Sequence, residues 1–304
     1  MRSFILLALA GFGAQLVDGS LGMAYGVSST TLLLFVGLAP ALASAAVHIA
    51  EVGTTAVSGI SHSAFGNVDW SKIVWMAIPG GIGAFVGASL LVYASTLAAT
   101  AGLVEPIVAI FLFCLGVYVL AKFSFRRTER PVHVRPISRL FLAPLGLVAG
   151  FLDAMGGGGW GPISTPTLLS SGRMEPRKII GTVDTSEFVV ALCASLGFLI
   201  SLSFAQVPWT VVGALLVGGL FAAPLAAFVV RLLPTRILGT AVAGVILIVN
   251  MKTFLEAVGV GGALAILVYI LIVAVWIAAI VFSVRVNRLE QNGRAGDPST
   301  SRVV

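Results

Sequence analysis

Acidic residues lie well inside the apolar stretches of this sequence, where a charged side chain needs a specific reason to be present. On insertion scales, an ionised residue at the centre of a membrane helix costs about 2.5–3.5 kcal/mol. A carboxylate in such a place can cap a broken helix by accepting backbone N–H hydrogen bonds, or it can exchange a proton or a cation. The acids concerned are Asp18, Glu51, Asp153, Asp184 and Glu187.

Two of these acids occupy the same place in an internal repeat. Residues 11–30 align with residues 146–165 without a gap, and the alignment pairs Asp18 with Asp153. Each copy is an apolar run that contains the Asp, then a Gly-rich stretch, then a second short apolar run. Paired interruptions of this kind in the two halves of a membrane protein indicate a transporter's binding site.

The repeat extends to the next apolar run after a gap of one residue. It aligns His48 with Asp184 and Glu51 with Glu187, and this i, i+3 spacing puts both polar residues on one face of a helix. We therefore predict two equivalent clusters, each with a hairpin Asp and a helix Glu. The acids either cap and brace the broken helices or couple ion movement to transport. The predicted coupling or gating residues are Asp18, His48, Glu51, Asp153, Asp184 and Glu187.

Each copy also carries a turn whose chemistry suits a small anion. The turns read LGMAYGVSST at residues 21–30 and GGGGWGPIST at residues 156–165. Glycines let backbone N–H groups approach a ligand, a helix N-terminus is electropositive, and Ser and Thr add neutral donors. The alternative is that the glycines only permit tight helix packing. The predicted substrate-binding residues are Gly22, Tyr25, Gly26, Ser29, Thr30, Gly157, Gly158, Gly159, Trp160, Gly161, Ser164 and Thr165.

The composition requires a membrane to position these elements. The 304 residues are 58% hydrophobic and only 10% charged, with a mean hydropathy of +1.07, so the chain could not present a water-soluble surface. We predict a multi-pass protein of the cell membrane, in contact with lipid, with no soluble domain and no nucleic-acid partner. Cys114 and Cys193 lack the spacing of a metal site or redox motif, and the apolar N-terminus is expected to stay in the mature protein.

The order of the apolar runs predicts how the chain crosses the membrane. A broken segment and three apolar runs precede the polar stretch 122–139, and the same order follows it. If each broken segment is a re-entrant hairpin, all Lys and Arg except Arg2 and Lys252 lie on one side, which the positive-inside rule makes the cytoplasm. The halves are then inverted and the C-terminus is cytoplasmic. If each broken segment instead crosses once, the halves run parallel and the charges sort less well.

The expected fold is an all-α polytopic membrane protein. It is an inverted-topology repeat of a broken helix or re-entrant hairpin plus three transmembrane helices, with one extra C-terminal helix. The predicted parts are an N-terminal repeat at 1–121, a basic cytoplasmic linker at 122–139, a C-terminal repeat at 140–255, the extra helix at 256–284 and a disordered cytoplasmic tail at 285–304.

The two motifs resemble the TauE/SafE family of membrane transporters over about residues 4–284. The resemblance rests on GFGAQLVDGSLGMAYG with SSTTLLL, on GLVAGFLDAMGGGGWGPISTPTLL, and on GTVDTSEF at 181–188. It implies passive or ion-coupled movement of small sulfur-containing anions such as sulfite, thiosulfate or organosulfonates, usually out of a bacterial cell. The first copy departs from the pattern because Leu21, Met23 and Ala24 stand where the second copy has glycines.

The leading hypothesis is therefore a secondary transporter of small sulfur oxyanions, with export as the expected direction and a proton or sodium ion as the coupling ion. The alternative is a proton-coupled cation or metal-ion transporter that uses the intramembrane Asp, Glu and His residues. An intramembrane hydrolase is a third reading, but neither G-x-S-x-G nor H-E-x-x-H spacing is present. We predict no cofactor, no resident metal and no enzyme activity. The sequence does not define an oligomeric state.

Overall fold

The computed structural model describes residues 2–21, 23, 25–97, 101–125, 137–171, 173–174, 176–229 and 235–295. Within these ranges the chain forms helices and no strand. The helices are α1 (Arg2–Leu21), α2 (Tyr25–Phe35), α3 (Pro40–Ala64), α4 (Trp70–Thr96), α5 (Ala101–Phe125), α6 (Arg139–Gly156), α7 (Trp160–Ser171), α8 (Pro176–Ser201), α9 (Trp209–Val229), α10 (Thr235–Ala257) and α11 (Gly262–Ala295). One 3₁₀ turn, Phe204–Gln206, precedes α9.

Seven helices in the described ranges, α3, α4, α5, α6, α8, α10 and α11, contain apolar segments long enough to cross a membrane. The last of them, α11, exposes apolar side chains along its length, including Leu264, Leu267 and Leu271 at 59–63%. Such a surface is stable only against lipid. The prediction of an all-α polytopic membrane protein is confirmed.

Equivalent helices of the two halves pack against each other in opposite directions. Along α3 and α8, the His48 ring lies 5.8 Å from the Phe198 ring, whereas Gly59 lies beside Thr185. Helices α3 and α8 are therefore antiparallel. The pair α5 and α10 behaves the same way, with Gly116 beside Ile246 and the Ser124 hydroxyl 3.3 Å from that of Thr240.

Helix α4, in contrast, runs parallel to α6. A Cβ added to Gly146 would lie 2.4 Å from the Met76 carbonyl oxygen, and one added to Gly150 would lie 2.1 Å from the Gly80 carbonyl oxygen. Small residues permit this close backbone approach between apolar helices. Because Gly146 and Gly150 have no side chain, the backbones of α4 and α6 can pack closely.

Helix α4 also runs parallel to α8, since Gly80 lies beside Val190 and Phe85 lies beside Gly197. Helices α6 and α8 thus point the same way. If α7 continued the direction of α6, residues 172–175 would have to span back along about 45 Å of helix, although four residues reach at most roughly 14 Å. The chain must therefore turn between α6 and α7, so that α7 returns towards the end where α6 began.

The aromatic residues of the two turns pack in matching ways. A Cβ at Gly80 in α4 would lie 2.7 Å from the Trp160 ring, and a Cβ at Gly219 in α9 would lie 3.6 Å from the Tyr25 hydroxyl oxygen. The Trp160 indole N–H donates to the Val183 carbonyl at 3.0 Å. Each aromatic ring is thus fixed between a broken segment and a neighbouring helix.

Some predicted boundaries differ from the structure. Helix α5 continues to Phe125, and α10 ends at Ala257. Helix α11 continues to Ala295, so residues 285–295 of the predicted disordered tail are helical. Residues 284–292 contain no proline or glycine to end the helix, and it ends two residues after Gly293. Residues 126–136 of the linker and residues 296–304 of the tail lie outside the described residues.

Close packing between α4 and α6 gives a first prediction. We expect Gly150→Ala to lower the melting temperature of the detergent-purified protein, because its Cβ would lie 2.1 Å from a backbone oxygen and overpacking costs about 1–3 kcal/mol. The matched control is Gly13→Ala in α1, whose Cβ would meet nothing within 4 Å and which should gain up to about 1 kcal/mol of helix propensity. Equal melting temperatures for the two variants would contradict the close contact.

Candidate functional site

The two broken segments meet at their Gly-rich turns. A Cβ at Gly26 would lie 2.8 Å from the Cα of Gly158, and Gly157 and Gly158 both have positive φ, at 70° and 153°. The Thr30 hydroxyl donates to the Gly157 carbonyl oxygen. The N-terminal turn of α2 is therefore held directly against the turn that precedes α7, as glycine at these positions allows.

Asp18, near the end of α1, and Asp153, near the end of α6, cap the short helices that follow them. Asp153 Oδ1 accepts hydrogen bonds from the backbone N–H groups of Gly159, at 2.6 Å, and Trp160, at 3.0 Å. Asp18 Oδ1 accepts the Tyr25 N–H at 3.3 Å. The capping role that the sequence left open is confirmed for both residues, and a coupling role for them stays a prediction.

Asp153 also contacts a histidine of the other half. Its Oδ2 lies 3.0 Å from His48 Nε2, and both side chains are buried. On the far side of the ring, His48 Nδ1 lies 2.8 Å from the Ser44 carbonyl oxygen. When Asp153 is ionised, an imidazolium that donates from both ring nitrogens satisfies this carboxylate and the Ser44 carbonyl. The contact is a buried His–Asp pair between α3 and the second hairpin.

The neighbouring Ser44 makes the order Ser, His, Asp, which invites comparison with a hydrolytic triad. The Ser44 hydroxyl oxygen lies 3.3 Å from His48 Nδ1, but its closer acceptor is the Ala154 carbonyl at 2.8 Å. His48 Nδ1 in turn lies closer to the Ser44 backbone oxygen, at 2.8 Å. A general base would need that nitrogen free to accept the hydroxyl proton. The geometry therefore positions α3 and does not activate a nucleophile.

The second cluster consists of carboxylates. Asp18, Asp184 and Glu187 each offer an oxygen, and these oxygens all lie within 4.8 Å of one another. His62, which the sequence gave no role, places Nε2 4.0 Å from Asp184 Oδ2. Each cluster thus joins a loop Asp of one half to a helix of the other half, whereas local sequence suggested no such exchange.

Glu51 lies at the place where the turns touch. It is 2% exposed, its Oε1 would be 3.2 Å from a Cβ on Gly26, and its Oε2 has no hydrogen-bond partner among the described residues. The repeat aligns Ser29 with Ser164, and the hydroxyls of both serines are also buried without a hydrogen-bond partner among the described residues. Both serines lie one turn inside the N-termini of α2 and α7.

The remaining predicted substrate-binding residues have different surroundings. Gly159 and Gly161 lie beside the Asp153 cap, and Thr165 is buried in the first turns of α7. Gly22 lies outside the described residues. Tyr25 and Trp160 are buried against α9 and α4, which shows packing, while their contact with a substrate stays a prediction.

Two contacts near the first turn were not predicted. The Lys122 ammonium lies 3.7 Å from Met23 Sδ, because α5 continues past residue 121. The Asn250 amide of α10 donates to the Thr31 hydroxyl at 2.8 Å. The presence of an Asn within an apolar run could have predicted a buried contact for Asn250. No feature of the sequence predicted the contact of Lys122.

The ion pair gives a second prediction, tested by a double-mutant cycle. Breaking a buried pair from one side costs about 3–5 kcal/mol, so His48→Gln and Asp153→Asn should each lower the melting temperature substantially. The double variant should lose less than the sum of the two single losses. Combining His48→Gln with Asp69→Asn, at the exposed N-cap of α4, should be additive. Additive losses for His48→Gln with Asp153→Asn would contradict the pair.

Comparison with known proteins identifies the family of this chain. The family described as "Sulfite exporter TauE/SafE" matches residues 7–253. A protein of Bacillus subtilis (strain 168) named "Probable membrane transporter protein YtnM" is 48% identical over 284 residues, which cover 93% of each chain. No solved structure matches the chain. The resemblance seen in the repeat and the prediction of a transporter rather than an enzyme are confirmed: the chain belongs to the TauE/SafE family of membrane transporters.

Proposed function

We propose that the protein is a secondary transporter that exports small sulfur-containing oxyanions, such as sulfite or organosulfonates, by alternating access. The anion binds between the two Gly-rich turns, at the N-termini of α2 and α7. The family description, sulfite exporter, supports the substrate class. The direct contact of the turns supports the place.

The observation that carries the proposal is the matched pair of buried serine hydroxyls. Ser29 and Ser164 are both 0% exposed, and neither hydroxyl has a hydrogen-bond partner among the described residues. Burying a hydroxyl without a partner costs roughly 1–3 kcal/mol. An oxyanion that accepts hydrogen bonds from both hydroxyls removes this cost. Because the two serines belong to opposite halves of the repeat, they donate to the anion from two sides.

Groups with positive charge also lie at the turns. The N-terminus of a helix carries partial positive charge, and two such termini meet at Gly26 and Gly158. Lys122 adds an ammonium group beside Met23 in the first turn. The carboxylates of Asp18 and Asp153 hold the first N–H groups of the two helices, so they fix the turns in the geometry that an anion meets.

The directions of the helices support an inverted repeat and alternating access. Equivalent helices that run antiparallel, as α3 and α8 do, are related by a two-fold axis across their length, and an inverted repeat has this symmetry. The return of the chain through α7 favours the hairpin over a single crossing. With the basic stretches on the cytoplasmic side, the C-terminus is cytoplasmic in the cell membrane.

A cation or metal-ion transporter is the second candidate, because Asp18, Asp184 and Glu187 bring three carboxylates together. One experiment separates the two. The purified protein is melted in sulfite, thiosulfate, sulfate, sulfoacetate or chloride, and in chlorides of several metals, and sulfite efflux is measured from proteoliposomes. Selective stabilisation by a sulfur oxyanion with protein-dependent efflux supports the proposal, and stabilisation by metals alone supports the second candidate.

The serine pair gives a third prediction. We expect Ser29→Ala and Ser164→Ala each to weaken sulfite stabilisation about tenfold or more, because a hydrogen bond to a charged group contributes roughly 1.5–3 kcal/mol. Without anion, both variants should melt no lower than the parent, since an unpartnered buried hydroxyl is removed. The measurement is the melting temperature across a sulfite titration.

Ser195→Ala is the matched control for these variants. Ser195 is buried as well, but its hydroxyl already donates to the Ala191 carbonyl of its own helix at 2.7 Å. Its sulfite titration should stay that of the parent. If Ser29→Ala and Ser164→Ala leave the titration equally unchanged, the anion does not bind at the serine pair.

A further inference from the structure

The two halves of the repeat differ in charge at one pair of equivalent contacts. In one half, the His48 imidazole lies 3.0 Å from Asp153. The repeat aligns His48 with Asp184, and Asp153 with Asp18. The equivalent contact therefore sets a carboxylate against a carboxylate, and Glu187 joins them.

This acidic cluster is buried. Asp18, Asp184 and Glu187 are 4%, 3% and 8% exposed, and their facing oxygens lie within 4.8 Å of one another. Like charges repel strongly at such distances away from water, and a buried charge needs a partner of opposite sign. In the other half the His48 side chain lies at the equivalent place, 3.0 Å from Asp153.

The neighbours of the cluster leave one of its oxygens unsatisfied. Asp184 Oδ2 accepts no hydrogen bond from the described residues. His62 Nε2 is the nearest cationic candidate among the described residues, and it lies 4.0 Å from Oδ2, beyond hydrogen-bond distance. The Tyr25 N–H is bound to Asp18. A buried carboxylate oxygen without a hydrogen-bond donor, on a side chain that lies within 4.8 Å of two other carboxylates, points to a ligand that brings positive charge.

We propose that Asp18, Asp184 and Glu187 bind a hard cation in the place that the His48 imidazolium takes in the other half. The ligands are carboxylate oxygens only, a donor set that suits Na⁺, Mg²⁺, Ca²⁺ or Mn²⁺ and disfavours soft metals. Exchanging a histidinium for a carboxylate removes two units of positive charge. A divalent cation restores them, as does a monovalent cation together with one protonated carboxyl group.

The role of the cation rests on the proposed function. Asp18 caps α2 through the Tyr25 N–H, and Ser29 of the proposed anion site lies in the first turns of the same helix. A cation that orders Asp18 therefore orders the turn that meets the anion. This assigns the cluster to the coupling ion of anion transport, whereas cation binding itself can be measured without any anion substrate.

The test begins with the full-length purified protein. Its melting temperature is followed in NaCl, LiCl, KCl, MgCl₂, CaCl₂ and MnCl₂ at constant ionic strength, balanced with choline chloride. A ligand that binds only the folded protein raises the melting temperature with its concentration. Saturable stabilisation by Na⁺ identifies a monovalent cation, and saturable stabilisation by Mg²⁺, Ca²⁺ or Mn²⁺ identifies a divalent one.

The decisive variant is Asp184→His, which places an imidazole at the position equivalent to His48. We expect it to fold and to lose the cation response, with at least a tenfold rise in the apparent Kd, because the imidazolium takes the place of the cation. Glu187→Gln should weaken cation binding similarly without supplying a charge. The control is Glu256→Gln, an exposed acid paired with Lys252, which should keep the parent's cation response.

Three outcomes overturn the proposal: no cation stabilises the protein, acid alone stabilises it, or Asp184→His and Glu187→Gln both keep the parent's response. If neither variant folds, radioactive sodium and calcium binding to the parent protein decides, and absence of saturable binding overturns the site. Sulfite stabilisation without a cation effect leaves the proposed function standing and removes the cation site. A cation effect without any anion effect removes the proposed function instead.

Discussion

A break in a helix within a bilayer leaves backbone groups that no water can satisfy, and most of this site follows from that constraint. Asp18 and Asp153 accept the first N–H groups of α2 and α7. On the carbonyl side, Thr30 donates to Gly157 and Ser44 donates to Ala154. The polar residues of the turns are thus needed before any substrate is considered, and their positions define the space left for one.

The same hydrogen bonds tie the two halves together. Thr30 and Ser44 belong to the first half and bond to carbonyls of the second, and His48 reaches Asp153 in the same direction. The acidic cluster runs the other way, from Asp18 to α8. Neither hairpin is therefore stabilised by its own half alone, and a displacement of one turn also changes the hydrogen bonds of the other.

Much of this arrangement could be predicted from sequence because it is local. The aligned Asp18 and Asp153, the glycines around residues 156–159, and the apolar runs depend on nearby residues only, and the structure has the broken helices and Asp caps that they indicate. Partner choice could not be predicted in this way. The repeat shows that His48 and Asp184 are equivalent, but only the antiparallel packing of α3 on α8 brings each of them to the other half's loop Asp. The reach of Lys122 to Met23 likewise depends on where α5 ends.

The contact between Gly26 and Gly158 has a mechanical consequence. The two backbones are in direct contact there, with no room for even a methyl group. The two turns therefore form a fixed pivot between the halves. Tilting one half about such a pivot widens the gap at one membrane face and narrows it at the opposite face. A continuous pore open to both sides would require the two turns to separate, which breaks the Thr30 to Gly157 bond and strands a carbonyl away from water. The Gly26–Gly158 contact and the Thr30 hydrogen bond therefore hold the two turns together.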